Sequence, residues 1–134
     1  MYYLTDTHPL FWSLFSAHRL SAVARDIFAQ AGEGVHTIYI PTMVLTELML
    51  AVEHRCTAVK YAEFLEALRA LQTAGNYLFL PLMPETVVGS YAFNDHISDI
   101  YDRLIVAEAR RLRVPLITCD AAIAASGLVD VVWE

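Results

Sequence analysis

Val114-Pro115-Leu116-Ile117-Thr118-Cys119-Asp120 is the stretch that decides the fold. It is apolar at odd and even positions alike, which suits a short strand covered on both faces, and it ends in an aspartate. Helical stretches flank it, one opened by Ser98 and reaching Leu112, the other running over Ala121–Ala125. A strand held between helices, with neither face left for water, belongs to a parallel sheet, because parallel neighbours need crossover helices.

The rest of the chain repeats the alternation. Tyr2–Thr5 is β-prone and also ends in an aspartate, Asp6. A short helix over Pro9–Phe15 follows, then one capped by Ser21 and stopped after Ala31 by Gly32 and Gly34. Val35–Ile40 reads as the second strand, and Pro41 and Thr42 open a helix with Met43, Leu45, Leu48, Met49 and Val52 as its apolar positions. Thr57 is the expected cap of an amphipathic helix ending near Gly75, with Val59, Ala62, Leu65, Leu68 and Leu71 on its stripe. Tyr77–Leu82 predicts a strand, Pro84 to about Ala92 a helix, and Val129–Trp133 the last strand. The expected architecture is one α/β domain over residues 1–134, with a central, mainly parallel sheet of about five strands flanked by helices.

Composition narrows the function classes. Of 134 residues, 57% are hydrophobic and 18% charged, too apolar for disorder and enough for a single core. The net charge of −6 excludes a broad cationic face for gripping phosphates by counterion release. Lys60 is the only lysine, so a receiver-type phosphorelay, which needs a lysine after its later strands, is disfavoured. A dehalogenase-like phosphatase wants a second aspartate two residues after the first, where His8 stands. Two cysteines do not make a disulfide framework. The opening residues lack a basic n-region and no apolar run reaches the ~20 residues of a membrane span, so the expectation is a cytoplasmic protein with no membrane partner.

Functional residues in parallel α/β sheets gather beyond the carboxyl ends of the strands. Asp6 and Asp120 follow strands there, and Glu47 and Asp102 sit early in helices that begin at that edge. Asp99 shares the helical face of Asp102. Carboxylates so gathered repel one another unless a cation neutralises them, and hard ions such as Mg²⁺ or Mn²⁺ take oxygen ligands. Taken singly, each acid also suits an ordinary place at a helix start or a turn.

Tyr3-Leu4-Thr5-Asp6-Thr7-His8 with Leu10 and Trp12, Thr46-Glu47-Leu48, Asp99 through Ala109, and Leu116-Ile117-Thr118-Cys119-Asp120 together resemble the PIN-domain ribonucleases. The branch they are most similar to is the VapC-like toxins of type II toxin–antitoxin pairs. The resemblance covers essentially the whole chain and implies that Asp6, Glu47, Asp102 and Asp120 are the catalytic, metal-binding acids. It further implies Mg²⁺-dependent cleavage of RNA by metal-activated water, with Mn²⁺ as a substitute, a cognate VapB-type antitoxin and a homodimer. Ile100 stands where that branch often has proline, and Pro41–Glu47 carries less serine than usual.

Asp99 and Thr118 are candidates for orienting the metal-binding acids, and Arg103 for meeting an RNA phosphate, although a structural or dimer contact suits Arg103 better. Arg110, Arg111 and Arg113 form the only basic cluster, at a helix end where cations complement the dipole, with RNA binding as the lesser alternative. The five histidines lack metal-ligand spacing, and only His8 neighbours a candidate acid. Cys119 is expected to be a buried small residue. Tyr2, Phe11, Trp12, Phe15 and Trp133 are expected core or interface aromatics, with base stacking open to one of them. The competing reading is a catalytically silent module whose acids receive a partner's arginine.

Overall fold

The computed structural model describes residues 1–134 and contains one five-stranded sheet in the order β3-β2-β1-β4-β5. The strands are β1 Tyr2–Thr5, β2 Thr37–Pro41, β3 Tyr77–Leu80, β4 Leu116–Ile117 and β5 Val131–Val132, and every pairing is parallel. Seven α-helices flank the sheet: α1 Thr7–Phe15, α2 Ala22–Gly32, α3 Thr42–Glu53, α4 Tyr61–Thr73, α5 Pro84–Gly89, α6 Ile100–Leu112 and α7 Ala121–Ser126. The expected α/β sheet is therefore observed, and it is wholly parallel. From β1 the chain winds outward to β2 and β3, then returns through α5 and α6 to β4 on the other side of β1. That reversal makes the β1/β4 boundary the topological switch point, where a crevice opens beyond the strand ends.

Both sheet faces are covered. Tyr3 and Leu4 are successive residues pointing to opposite faces, and both are buried, as are Leu116 and Ile117. Leu10, Val44, Ile105, Val106 and Ile123, from four helices and fully shielded, pack into the same core as Ile38 and Ile40. Contacts of α1 with α3 and of α3 with α6 draw the starts of these helices around the switch point.

Several boundaries differ from the sequence reading for local reasons. Helix α1 starts at Thr7 instead of Pro9, because Asp6 caps it, and Pro9 then falls in the first turn where a missing N–H costs nothing. Strand β2 starts at Thr37, because the Val35 N–H closes the end of α2 on the Gln30 carbonyl (2.8 Å), with Gly34 at φ +85°. Asp99, not Ser98, caps α6 by accepting from the Tyr101 (2.8 Å) and Asp102 (3.3 Å) N–H groups. Thr57 does not cap α4; its hydroxyl accepts the Val59 N–H (3.2 Å) in a turn, and the helix begins after Lys60. The helix from Pro84 tightens to a 3₁₀ turn over Ser90–Phe93, and another 3₁₀ turn, Ala17–Arg19, was not expected.

Candidate functional site

The site begins with strand register. Thr5 pairs with Ile117, and the Asp6 N–H donates to the Ile117 carbonyl (3.0 Å), so Asp6 and Thr118 leave the sheet side by side. The Thr118 hydroxyl donates to Asp6 Oδ2 (2.6 Å) and accepts the Asp120 N–H (3.1 Å). Asp6 Oδ1 takes the Thr7 N–H (2.7 Å), and Asp120 Oδ1 takes the Ile123 N–H (2.9 Å) at the start of α7. Across the crevice, the Thr7 hydroxyl donates to Glu47 Oε1 (2.6 Å). Thr7 thus carries a site contact that the sequence reading did not single out, although Asp-Thr at a strand end already placed a hydroxyl beside the acids.

Asp6, Glu47, Asp102 and Asp120 all line one cleft of about 410 Å³, and Asp99 joins them, together with Thr7, His8, Trp12 and Cys119. Three of the acids, Asp6, Asp99 and Asp120, do cap helices, as the plain structural reading of such acids allowed. Capping does not disperse them, because α1, α6 and α7 all start at this edge, and each cap delivers its carboxylate to the same place.

The electrostatics record the crowding. Burial holds the Asp6 carboxyl above its ordinary range against the hydrogen bonds from Thr118 and Thr7, with His8 also drawing it down. Burial likewise raises Glu47, opposed by its Thr7 bond and assisted by Asp6 and Asp99. Asp102 is pushed up to about 7, by burial first and then by Asp6, Asp99, Asp120 and Glu47 in turn. Unlike Asp6 and Glu47 it has no hydrogen-bonded donor to offset this.

A divalent cation answers such a cluster chemically. The facing donors are carboxylate oxygens, the ligand type of Mg²⁺ and Mn²⁺, and the unopposed charge around Asp102 is what a hard cation would relieve. The carboxylates placed to hold one are those lining the cleft, Asp6, Glu47, Asp99, Asp102 and Asp120. As the side chains stand, no three Asp, Glu, His or Cys groups form a closed cage. Mutual repulsion of uncompensated carboxylates opposes such a closure.

The other candidates resolve differently. Cys119 is exposed, not buried, because it is the first residue past the covered strand and opens onto the cleft; burial of its sulfur nonetheless pushes the thiol up, with Asp6 adding to it. Arg103 commits Nη1 to the Ser98 (2.9 Å) and Ile97 (3.1 Å) carbonyls and to Asn94 Oδ1 (3.4 Å), bracing the segment that leads to Asp99. Arg111 pairs with the buried Glu108 (2.7 Å), which also accepts from Thr86 (2.9 Å). Arg110 lies over Phe93 (5.3 Å) and donates to the Leu128 carbonyl, and Arg113 ends α6 in the left-handed region. The basic cluster therefore sits at the far end of α6 from Asp102 and is largely spent on the fold. Tyr2 is exposed, whereas Phe11, Trp12 and Trp133 pack against the core.

The family model described as PIN domain matches residues 3–126, and the chain belongs to the PIN-domain family. PIN domains are generally nucleases, and those nucleases generally depend on a divalent metal. A comparison with curated protein sequences finds no match. Among solved structures, the fold is similar to VapBC2 from Rickettsia felis bound to a promoter DNA fragment, with TM-score 0.69, 17% identity and full coverage of both chains. It is also similar to a toxin–antitoxin complex from Klebsiella pneumoniae, with TM-score 0.63 and 21% identity over 96% of this chain and 94% of that one. VapBC-5 from Mycobacterium tuberculosis gives TM-score 0.59 and 18% identity over 99% and 98%. No helix is long and apolar enough to cross a membrane.

Proposed function

We propose that the chain is a Mg²⁺-dependent endoribonuclease, active also with Mn²⁺, and the toxin of a VapBC-type pair. The observation that carries this reading is the meeting of five carboxylates in one cleft at the switch point, where Asp102 is held at about 7. Bound there, the divalent ion supplies charge neutralisation at the phosphate and activation of a water. Asp6, Asp102 and Asp120 would hold it, and Glu47, steadied by the Thr7 hydroxyl, would orient a water or hold a second ion. Thr118 fixes Asp6, and Asp99 holds the first turn of α6 so that Asp102 faces the cleft. RNA is the substrate, and the same anion-repelling cleft is what an antitoxin's basic side chain would fill.

The test is cleavage of pooled RNA by the purified, partner-free chain in Mg²⁺, in Mn²⁺ and in EDTA, beside Asp6→Asn and Asp102→Asn. Asparagine can still accept the capping bond from Thr7, so loss of cleavage in a folded Asp6→Asn variant reports chemistry and not the helix cap. Metal-dependent cleavage that both variants lose is expected. Cleavage retained in EDTA, or in either folded variant, would overturn the reading. The partner is tested by co-purification with the product of the neighbouring gene, and the homodimer by light scattering at twice the 15.0 kDa chain mass.

A further inference from the structure

The proposed cleft sets a problem of affinity. It presents five carboxylates in a chain of net charge −6, so a nucleic acid strand gains little from electrostatic attraction even after one divalent ion is bound. Attraction that does not depend on charge must come from the remaining lining, and the cleft has one aromatic wall, His8 and Trp12. They lie four residues apart on α1, hence on one helical face, with ring centroids 5.5 Å apart. The wall starts two residues beyond Asp6, so it is fixed to the same helix start that carries the buried acid.

The wall is also backed. Trp133 lies 6.0 Å from Trp12 between ring centroids, and its carbonyl is tied to the Ser21 hydroxyl at the start of α2. The exposed guanidinium of Arg19 rests 5.1 Å from the Trp12 centroid. The two ring planes are tilted by 44°; His8 is exposed while Trp12 is half-buried, so the imidazole is the open ring and the indole lies behind it.

We propose that His8 and Trp12, with Arg19 against them, form a stacking subsite for an unpaired base of single-stranded RNA next to the phosphate held at the acids. Every base has a π-face, so such a subsite tolerates sequence but requires a base that is not locked in a duplex. Arg19 is the arginine resting on this wall, where it meets the backbone of the same strand without lining the acidic cleft. This inference rests on the ribonuclease reading for its substrate, but its test reads binding and not turnover.

The experiment measures dissociation constants of the full chain, with Ca²⁺ in place of Mg²⁺ to hold the complex uncleaved. The probes are a mixed-sequence single-stranded oligoribonucleotide, the same backbone with abasic positions, and a duplex of equal length. The wild type is expected to favour the base-bearing single strand by about tenfold, the loss expected for one stacked base. His8→Leu and Trp12→Leu should erase that preference, and Trp12→Phe should keep most of it. His8 is exposed, so its variant remains informative if Trp12→Leu does not fold. Equal binding of the base-bearing and abasic strands, no binding at all, or a preference surviving in folded His8→Leu would overturn the subsite. Cleavage in Mg²⁺ on the same preparation separates the two claims: cleavage without a base preference sinks the subsite alone, and a base preference without cleavage upholds the subsite and sinks the nuclease.

Discussion

Replacing Asp102 with asparagine should make the metal-free protein more stable while removing its activity. The folded chain holds this carboxyl at about 7 against an ordinary 3.8, so between those values folded Asp102 keeps a proton that the unfolded chain has lost. Stability therefore falls as pH climbs from about 4 to about 7, and above 7 the full cost of the ionised carboxylate remains. At 1.36 kcal/mol per tenfold, that displacement is worth about 4 kcal/mol for a fully shielded group. Asp102 is only partly buried, and solvent screening brings this to about 1–2 kcal/mol. Unfolding of 134 residues carries about 280 cal/mol/K, so the asparagine variant should melt about 4–7 °C higher at pH 8 in EDTA. The gain should shrink towards pH 4, and saturating Mg²⁺ should raise the wild type more than the variant. Differential scanning calorimetry at pH 5 and pH 8, with EDTA and then with Mg²⁺, reads all of this. A variant that melts no higher than wild type at pH 8, or whose advantage is equal at both pH values, would refute the electrostatic argument.

Further outcomes follow from other contacts. Thr118→Val keeps the shape but strips Asp6 Oδ2 of its donor, and should cost about 1–3 kcal/mol in urea unfolding and weaken metal binding. Arg111→Ala leaves the carboxylate of Glu108 buried with only Thr86, and should cost about 1–3 kcal/mol while metal affinity stays unchanged, because neither member of the pair lines the cleft. Ile105→Ala, in the fully shielded core under α6, should cost about 2–5 kcal/mol by the same measurement. A thiol reagent should titrate both cysteines of the native protein, since Cys56 and Cys119 are exposed.

The strand-end acids were legible in the sequence because a parallel sheet sends every strand's carboxyl end to one edge. Asp6 and Asp120 needed only their strands to be recognised, and Glu47 and Asp102 only the helices that follow them. Less legible was the division of labour among hydroxyls and carboxylates. Ser98 and Asp99 are both good caps, and only backbone geometry selects Asp99. Thr57 suits a helix cap by sequence because the apolar stripe starts at Val59, yet its hydroxyl is satisfied within a turn and the helix waits until Tyr61. The Thr7–Glu47 bond joins residues forty apart and depends on α1 packing against α3, which no local pattern encodes. Cys119 misled because strand composition continues to the last residue, whereas cover from the helices stops at Thr118.

The most direct test of the account is calorimetric titration of the metal-free, partner-free chain with Mn²⁺ at pH 6.5 in two buffers of different ionisation enthalpy. At that pH the Asp102 carboxyl is largely protonated, so a cation bound among these acids must displace its proton. Saturable binding is expected, with a heat that differs between the buffers by the release of a fraction of one proton or more, and with that difference lost in Asp102→Asn. A folded wild-type chain that takes up no Mn²⁺, or binds it with the same heat in both buffers, would contradict a divalent-cation site at this cleft.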